Sequence, residues 1–460
     1  MTLINRFPAE FLIGAAVLAI SLALGVAAGT GALSFRIFLG VLIGGAALIA
    51  LTTGENSLRI GMAVWVLFFA LGYRTVPIST YFRLHPLIVL IYLLGAFYLT
   101  QRRTPEANRT SASLYFQLVM LVGLFFWLNG WVQGFLRGRR WDLMLGEALN
   151  FLAVVPIFAL VRHVSEKPLG LRRLLQLFYG VSVFIAATGI FEYFFTDFAQ
   201  TTLAGVAQTD NFVYLAGATG FLRASFVLWG SPAAAFICML ALPIALPYLA
   251  WAKGLARGYV VISAFCLLVG IYISGYRSLW MLSGVLVMVT LLSRRNLIIT
   301  VIGSALTVFV ISLMPEAGQE RFAQALEVVQ GISYDNSIRT REAWFNFALT
   351  TGLTYPTGIG WGGTGWSHSD LAQVMGNLGV AAGVAFVTWY LVTLWRVWRA
   401  QQRHLTDPLI LALLCSFIGV GGLLLFQGVQ VLPQLAMPCW FIWAVAHVYA
   451  KQLRTSQRAI

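Results

Sequence analysis

Charged residues are scarce in this chain. Among 460 residues, 16 are acidic and 30 are Lys or Arg, so charged residues make up 10% of the sequence while hydrophobic residues make up 59%. A water-soluble domain of this length cannot cover so much apolar surface with so few charges. The composition therefore excludes an ordinary soluble protein, and lipid must be the solvent for most of the chain.

Cysteine is also rare, and the patterns of metal and nucleotide sites are missing. The four cysteines stand in apolar runs without C-x-x-C spacing, so small buried side chains are a simpler interpretation than a disulfide or a zinc site. The sequence contains no G-x-x-x-x-G-K-[ST] pattern, which argues against a nucleotide P-loop. We expect neither a metal nor a cofactor.

Apolar runs, in contrast, recur almost from end to end. A hydrocarbon layer roughly 30 Å thick needs about 20 apolar residues per helix, and the backbone cannot hydrogen-bond to lipid. The runs predict an all-α bundle of about fourteen transmembrane helices in a single integral membrane domain, residues 1–460. The predicted spans are 11–28, 34–52, 57–73, 86–100, 113–131, 143–162, 174–195, 231–251, 257–274, 277–293, 296–314, 371–397, 407–428 and 431–450.

The distribution of basic residues predicts the orientation. A net charge of +14 suggests nucleic acid, but the basic residues lie in short clusters between apolar runs, so we expect membrane lipids and no nucleic acid as partners. Cytoplasmic termini place about 19 Lys and Arg inside and about 11 outside. The polar connections 196–230 and 315–370 are then periplasmic loops of a protein in a bacterial inner membrane.

Every basic residue assigned to the outer side is an arginine. The guanidinium fork binds phosphate oxygens through paired hydrogen bonds, although the general excess of arginine over lysine explains the pattern equally well. Arg277 lies between two apolar runs at the predicted outer edge of the membrane, where a charge normally faces a protein interior or a watery cavity. A snorkelling arginine is the alternative. Arg223, just before the span 231–251, is a further candidate phosphate ligand or an interfacial arginine.

The second polar connection contains the remaining candidates. SYDNSIRTREAWFNFALTTG, residues 333–352, predicts an amphipathic surface helix that presents Arg341, Trp344, Phe345 and Ala348 at helical spacing. Arg339 and Arg341 share a face only if the helix begins after them. We therefore expect that one of the two arginines does not bind phosphate.

A glycine-rich stretch follows, YPTGIGWGGTGWSHSD, residues 355–370. It predicts either backbone amides open to an anion or a flexible turn. His368 is a candidate general base, and Asp370 is a candidate for orienting its ring. The alternative is that His368 is a loop histidine without a catalytic role.

These segments resemble, in this order, the O-antigen ligase and polymerase superfamily. GFLRASFVLWGSPAAA is similar to its Arg-bearing segment, SGYRSLWML to its Ser-x-x-Arg helix start, RTREAWFNFALTTGLTYPTGIGWG to its Arg-x-x-x-Trp helix with a Pro and Gly-rich turn, and SHSDLAQVMGNLGVAAG to its histidine loop. The resemblance covers residues 220–400. Family members often have His-Asn where this chain has His368-Ser369-Asp370, which leaves the role of Asp370 open.

The resemblance implies a GT-C-like, metal-independent inverting glycosyltransferase. Its donor would be an undecaprenyl-diphosphate-linked oligosaccharide, bound by Arg277, Arg341 and Arg223 with Arg339 as a further candidate, and His368 would be catalytic. A polymerase would use a second lipid-linked glycan as acceptor, and a ligase would use lipid A core. Flippase and chain-length regulator proteins would be further partners.

Two other classes remain open. A transporter of lipid-linked sugar or a small anion would place ionisable groups at mid-membrane depth and often has two similar halves. Glu147 and Glu192 are the main embedded acids, and no repeat relates the halves of the sequence. A scaffold for a polysaccharide assembly complex would not need His368.

Overall fold

The computed structural model describes the chain mainly as long helices packed side by side. The described residues are 76–77, 83–84, 91–92, 111–165, 170–196, 213–216, 221–224, 231–276, 279–280, 282–284, 286, 320, 323, 336–364, 369–426 and 433–458. Within them, six helices are long and apolar enough to cross a membrane: Trp141–Ser165, Gly170–Phe194, Ala233–Trp251, Leu255–Ile273, Val380–Arg403 and Pro408–Leu425. These six helices confirm the prediction of a helical membrane protein.

The helices and strands are labelled here in chain order. The helices are α1 Ser111–Leu136, α2 Trp141–Leu152, α3 Val154–Ser165, α4 Gly170–Phe194, α5 Ser231–Ala241, α6 Ala245–Trp251, α7 Leu255–Ile273, α8 Asn336–Thr354, α9 Asp370–Leu378, α10 Val380–Arg403, α11 Pro408–Phe426 and α12 Pro433–Arg458. A 3-10 turn, Leu242–Ile244, joins α5 to α6 at Pro243. Two antiparallel hairpins add β1 Val76–Pro77 with β2 Arg83–Leu84, and β3 Val213–Ala216 with β4 Phe221–Ala224.

Several predicted spans coincide with helices to within a few residues, namely 174–195 with α4, 257–274 with α7 and 407–428 with α11. The predicted single span 371–397 is wrong, because it consists of α9 and α10, which meet at Gly379. Gly379 has φ +96°, and a Cβ there would collide with the carbonyl oxygen of Pro356. The spans 11–28, 34–52, 57–73 and 296–314 lie outside the described residues, as do most of 86–100 and 277–293.

An aromatic cluster forms the centre of the C-terminal bundle. The Trp389 ring of α10 lies 4.3 Å from the Trp443 ring of α12. Phe417 of α11 and Phe386 of α10 contact Trp443 at 5.5 and 5.9 Å. Because tryptophan buries a large apolar area, this packing fixes α10, α11 and α12 against one another.

The crossing of α8 over α9 brings two backbones into close contact. A Cβ on Gly352 of α8 would lie 2.7 Å from the carbonyl oxygen of Met375, and one on Gly376 of α9 would lie 3.1 Å from that of Ala348. Only glycine allows this approach. The two segments that carry Arg341 and Asp370 are therefore held directly against each other.

Candidate functional site

Helix α8 separates the two candidate arginines. It begins at Asn336, before both residues, so Arg339 and Arg341 point in different directions around its axis. Arg339 is exposed, whereas Arg341 is half-buried on the same side as the fully buried Ala348. Trp344, which the pattern places on the same face as Arg341, is 40% exposed, and its ring contacts that of Phe347.

Arg341 lies close to the end of α7. Partial burial lowers the pKa of its guanidinium from the ordinary value, and the nearby Tyr276 acts in the opposite direction. Tyr276 begins a new helical turn after α7, since its carbonyl accepts the amides of Leu279 and Trp280 at 3.0 and 3.2 Å. The predicted helix start is therefore present at Tyr276. Arg277, the next residue, lies outside the described residues.

The segment that carries Arg223 forms a hairpin. Strand β4 pairs with β3, with Tyr214 opposite Arg223, and β4 packs against α4 and α7. Ala224, which follows Arg223, is fully buried. Strand β4, which carries Arg223, thus packs beside α7. The position of its side chain lies outside what the structure describes.

Asp370 is the first residue of α9 and is fully buried. Ser369 caps the helix, with its hydroxyl accepting the amide of Ala372 at 3.4 Å. Asp370 is near enough to Cys439 of α12 for the two side chains to interact electrostatically. His368 lies outside the described residues. Among those described, no three His, Cys, Asp or Glu side chains are grouped closely enough to hold a metal ion.

The glycine-rich loop between α8 and α9 is an ordered part of the protein interior. Six consecutive amides, from Ile359 to Thr364, donate to protein acceptors at 2.9 to 3.1 Å. In order, the acceptors are Gly376 O, Asn377 O, Gly130 O, Glu147 Oε2, Gly360 O and Asn377 Oδ1. The prediction of amides open to an anion is therefore wrong for these residues, and so is the alternative of a flexible turn.

Backbone geometry explains the glycines of this loop. Gly358, Gly360 and Gly362 have φ values of +79°, +87° and +71°, which side chains disfavour. Gly360 also leaves no room for a Cβ, which would collide with the amide nitrogen of Gly134 in α1. These glycines let the loop lie directly against α1 and α9.

Glu147 of α2 is the central acceptor of this region, and sequence reasoning did not assign it to the site. Its Oε2 accepts the amide of Gly362 at 2.9 Å and the side-chain amide of Asn377 at 2.7 Å, and Gln373 also hydrogen-bonds to the carboxylate. Asn377 Oδ1 in turn accepts both the amide and the hydroxyl of Thr364 at 2.9 Å. The available signal was an acid within an otherwise apolar helix.

Arginines from the loop after α1 approach the same end of the bundle. The Arg137 guanidinium lies 4.4 Å from the centre of the Tyr355 ring, just beyond α8. Arg140 forms a salt bridge of 3.1 Å with the buried Asp142. Both cations therefore have partners within the protein.

No family model matches the chain, and no curated protein matches it significantly. The assignment of a function consequently depends on the residues and their arrangement.

Proposed function

We propose that this protein is a membrane glycosyltransferase that polymerises an undecaprenyl-diphosphate-linked glycan on the periplasmic face of the bacterial inner membrane. The observation that carries the proposal is the half-buried Arg341 on α8, which is near enough to Tyr276, the residue before Arg277, for the two side chains to interact electrostatically. Strand β4, with Arg223, packs against the same helix α7. Two segments that are distant in sequence, one with Arg341 and one with Arg223, thus both lie near α7 or the turn that follows it.

The chemistry requires charge stabilisation and one base. The acceptor hydroxyl oxygen attacks the anomeric carbon, the bond from that carbon to the diphosphate oxygen breaks, and undecaprenyl diphosphate leaves. Arg341, Arg277 and Arg223 stabilise the charge that grows on the leaving diphosphate. His368 takes the proton of the attacking hydroxyl. Direct displacement inverts the anomeric centre.

Burial favours Arg341 over Arg339 as the phosphate ligand. A partly desolvated guanidinium keeps its charge and loses fewer hydration contacts when it binds phosphate than one in bulk water does. Arg339 is exposed and turned away from Arg341. Asp370, which is buried and follows His368 by two residues in the sequence, is the candidate for orienting the imidazole.

The test uses a strain that lacks the gene. We expect mass spectrometry of its lipid-linked glycans to find single unpolymerised repeat units, and the wild-type gene to restore long chains. His368→Ala and Arg277→Ala should insert normally and fail to restore them. Full polymerisation by either variant would refute the assignment.

The same experiment separates the other candidate functions. Long chains stranded on undecaprenyl diphosphate in the deletion strain would indicate the alternative of an O-antigen ligase that uses lipid A core. Uptake or flipping by the reconstituted protein, with no glycan product, would indicate a transporter. Restoration by His368→Ala would indicate a scaffold.

A further inference from the structure

The carboxylate of Glu147 connects segments that are far apart in the sequence. It lies on α2, six residues after Trp141, which is roughly 9 Å along the helix axis. Through one oxygen it binds the glycine-rich loop at Gly362 and helix α9 at Asn377. An acid inside an apolar helix is unfavourable unless it is bound in this way, so a specific role is expected for it.

The network reaches both sides of the short segment 365–368. On one side, Thr364 is bound through its amide and its hydroxyl to Asn377 Oδ1. On the other side, Ser369 caps α9, the helix that Glu147 binds through Asn377 and Gln373. Thr364 and Ser369 are therefore held relative to each other and to α2.

We propose that Glu147 is a positioning residue, whose carboxylate fixes Thr364 and α9 so that the ends of the segment bearing His368 have one defined placement at the active site. This inference rests on the proposed function. A misplacement of about 1 Å in a catalytic group can lower the rate about 100-fold, so a rigid support behind the base is significant.

The variant Glu147→Gln separates hydrogen bonding from charge. The carboxamide oxygen can accept from both Gly362 and Asn377. Gln373 now donates to the carboxylate through its NH2 group, so its amide must turn over for its buried Oε1, which lacks a partner among the described residues, to accept from the new NH2 group. Glu147→Ala removes every one of these bonds. Glu342→Ala, which removes an exposed glutamate on α8, is the matched control.

The first measurement is hydrogen–deuterium exchange of residues 355–364 in the purified full-length protein. We expect Glu147→Ala to accelerate exchange at least tenfold, and Glu147→Gln and Glu342→Ala to leave it within about twofold. Unchanged protection from exchange in Glu147→Ala would overturn the inference that Glu147 anchors the glycine-rich loop. This result does not depend on any enzymatic activity.

The second measurement is glycan transfer. We expect Glu147→Ala to lower kcat at least tenfold with little change in KM for the lipid-linked donor, and Glu147→Gln to restore kcat. An inactive Glu147→Gln with a protected loop would mean that the charge itself is required and would overturn the positioning role. So would full activity of Glu147→Ala.

A milder variant covers the case in which Glu147→Ala does not fold. Thr364→Val removes only the hydroxyl donor to Asn377 and preserves the side-chain shape. We expect a several-fold lower kcat and an unchanged KM, and an unchanged kcat would count against the proposal. If the wild-type protein shows no transfer at all, the proposed function fails, while the exchange data still decide whether Glu147 anchors the loop.

Discussion

Asn377 and Glu147 form a hydrogen bond of 2.7 Å between two helices, although 230 positions separate them in the sequence. Asn377 is fully buried, and its side chain is used at both ends, as a donor to Glu147 and as an acceptor for Thr364. Its backbone carbonyl accepts the amide of Gly360 at 2.9 Å. One residue of α9 thus orders most of the glycine-rich loop.

Replacing Asn377 should destabilise the protein strongly. Asn377→Leu keeps the approximate volume but removes a donor to Glu147 and the acceptor of two Thr364 groups. Each buried group left without a partner costs about 1–3 kcal/mol. We expect a fall of several degrees in the melting temperature of the detergent-solubilised protein.

Asn129→Ala is the matched control for this prediction. Asn129 makes one exposed hydrogen bond, from its side chain to the carbonyl of Thr357 at 2.8 Å. Its loss should cost about 0.5–1.5 kcal/mol at most. Equal melting temperatures for Asn129→Ala and Asn377→Leu would show that the buried network adds no stability.

The junction between α9 and α10 should not tolerate a side chain. At Gly379, alanine would combine a φ of +96° with a collision against Pro356 O. We expect Gly379→Ala to reduce the yield of folded protein severely, as judged by size-exclusion chromatography. Gly180→Ala in α4, where nothing lies within 4 Å of the added Cβ, should be neutral or slightly stabilising. A folded and stable Gly379→Ala would contradict the close approach.

The helices could be predicted from the sequence because each is a long apolar run, as α4 and α7 illustrate. Hydropathy does not predict the break at Gly379, since the runs on both sides of it are apolar; the local signal is Gly379 itself, because glycine commonly follows the last residue of a helix. The break depends on Pro356, which comes from a loop that packs there only in the folded protein. Hydropathy contains no information about such a contact.

The candidate site was predicted less completely, for a similar reason. The glycine-rich stretch suggests mobility when its acceptors are unknown, and all of those acceptors except Gly360 O lie in α1, α2 and α9. The inner face of α8 contains Ala348, which the pattern included, and Gly352, because small residues allow α8 to approach α9. The pairing of Glu147 with Asn377 is tertiary and has no local signature.

The two arginines of α8 should respond differently to substitution. Arg341→Ala should lower glycan transfer about 100-fold or more if its guanidinium stabilises the departing diphosphate. Arg341→Lys should recover part of this loss, because it retains the charge but not the planar fork. Arg339→Ala, the exposed neighbour, should remain within about twofold of wild type. Equal losses in a purified transfer assay would show that exposure does not distinguish the pair.

A second carboxylate, that of Asp407, connects α11 to α12 in the C-terminal part of the bundle, away from α8 and α9. Asp407 Oδ1 accepts the amide of Leu409 at 2.9 Å in the first turn of α11, while Oδ2 accepts the hydroxyl of Tyr449 in α12 at 2.6 Å. An acid at a helix N-terminus satisfies a free amide and interacts favourably with the helix dipole. Asp407 therefore both caps α11 and ties it to α12.

Tyr449→Phe should remove only the tie, at a cost of about 1–3 kcal/mol for a hydrogen bond to a charged group. Asp407→Ala should cost more, since the cap is lost as well, by about 1 kcal/mol. Because Tyr449 has no partner at this position once Asp407 is gone, the double variant should melt at the same temperature as Asp407→Ala alone. Additive losses would show that the two side chains act independently. Transfer activity should remain at the wild-type level in all three variants, since a stability defect at this end leaves the arrangement around α8 and α9 unchanged.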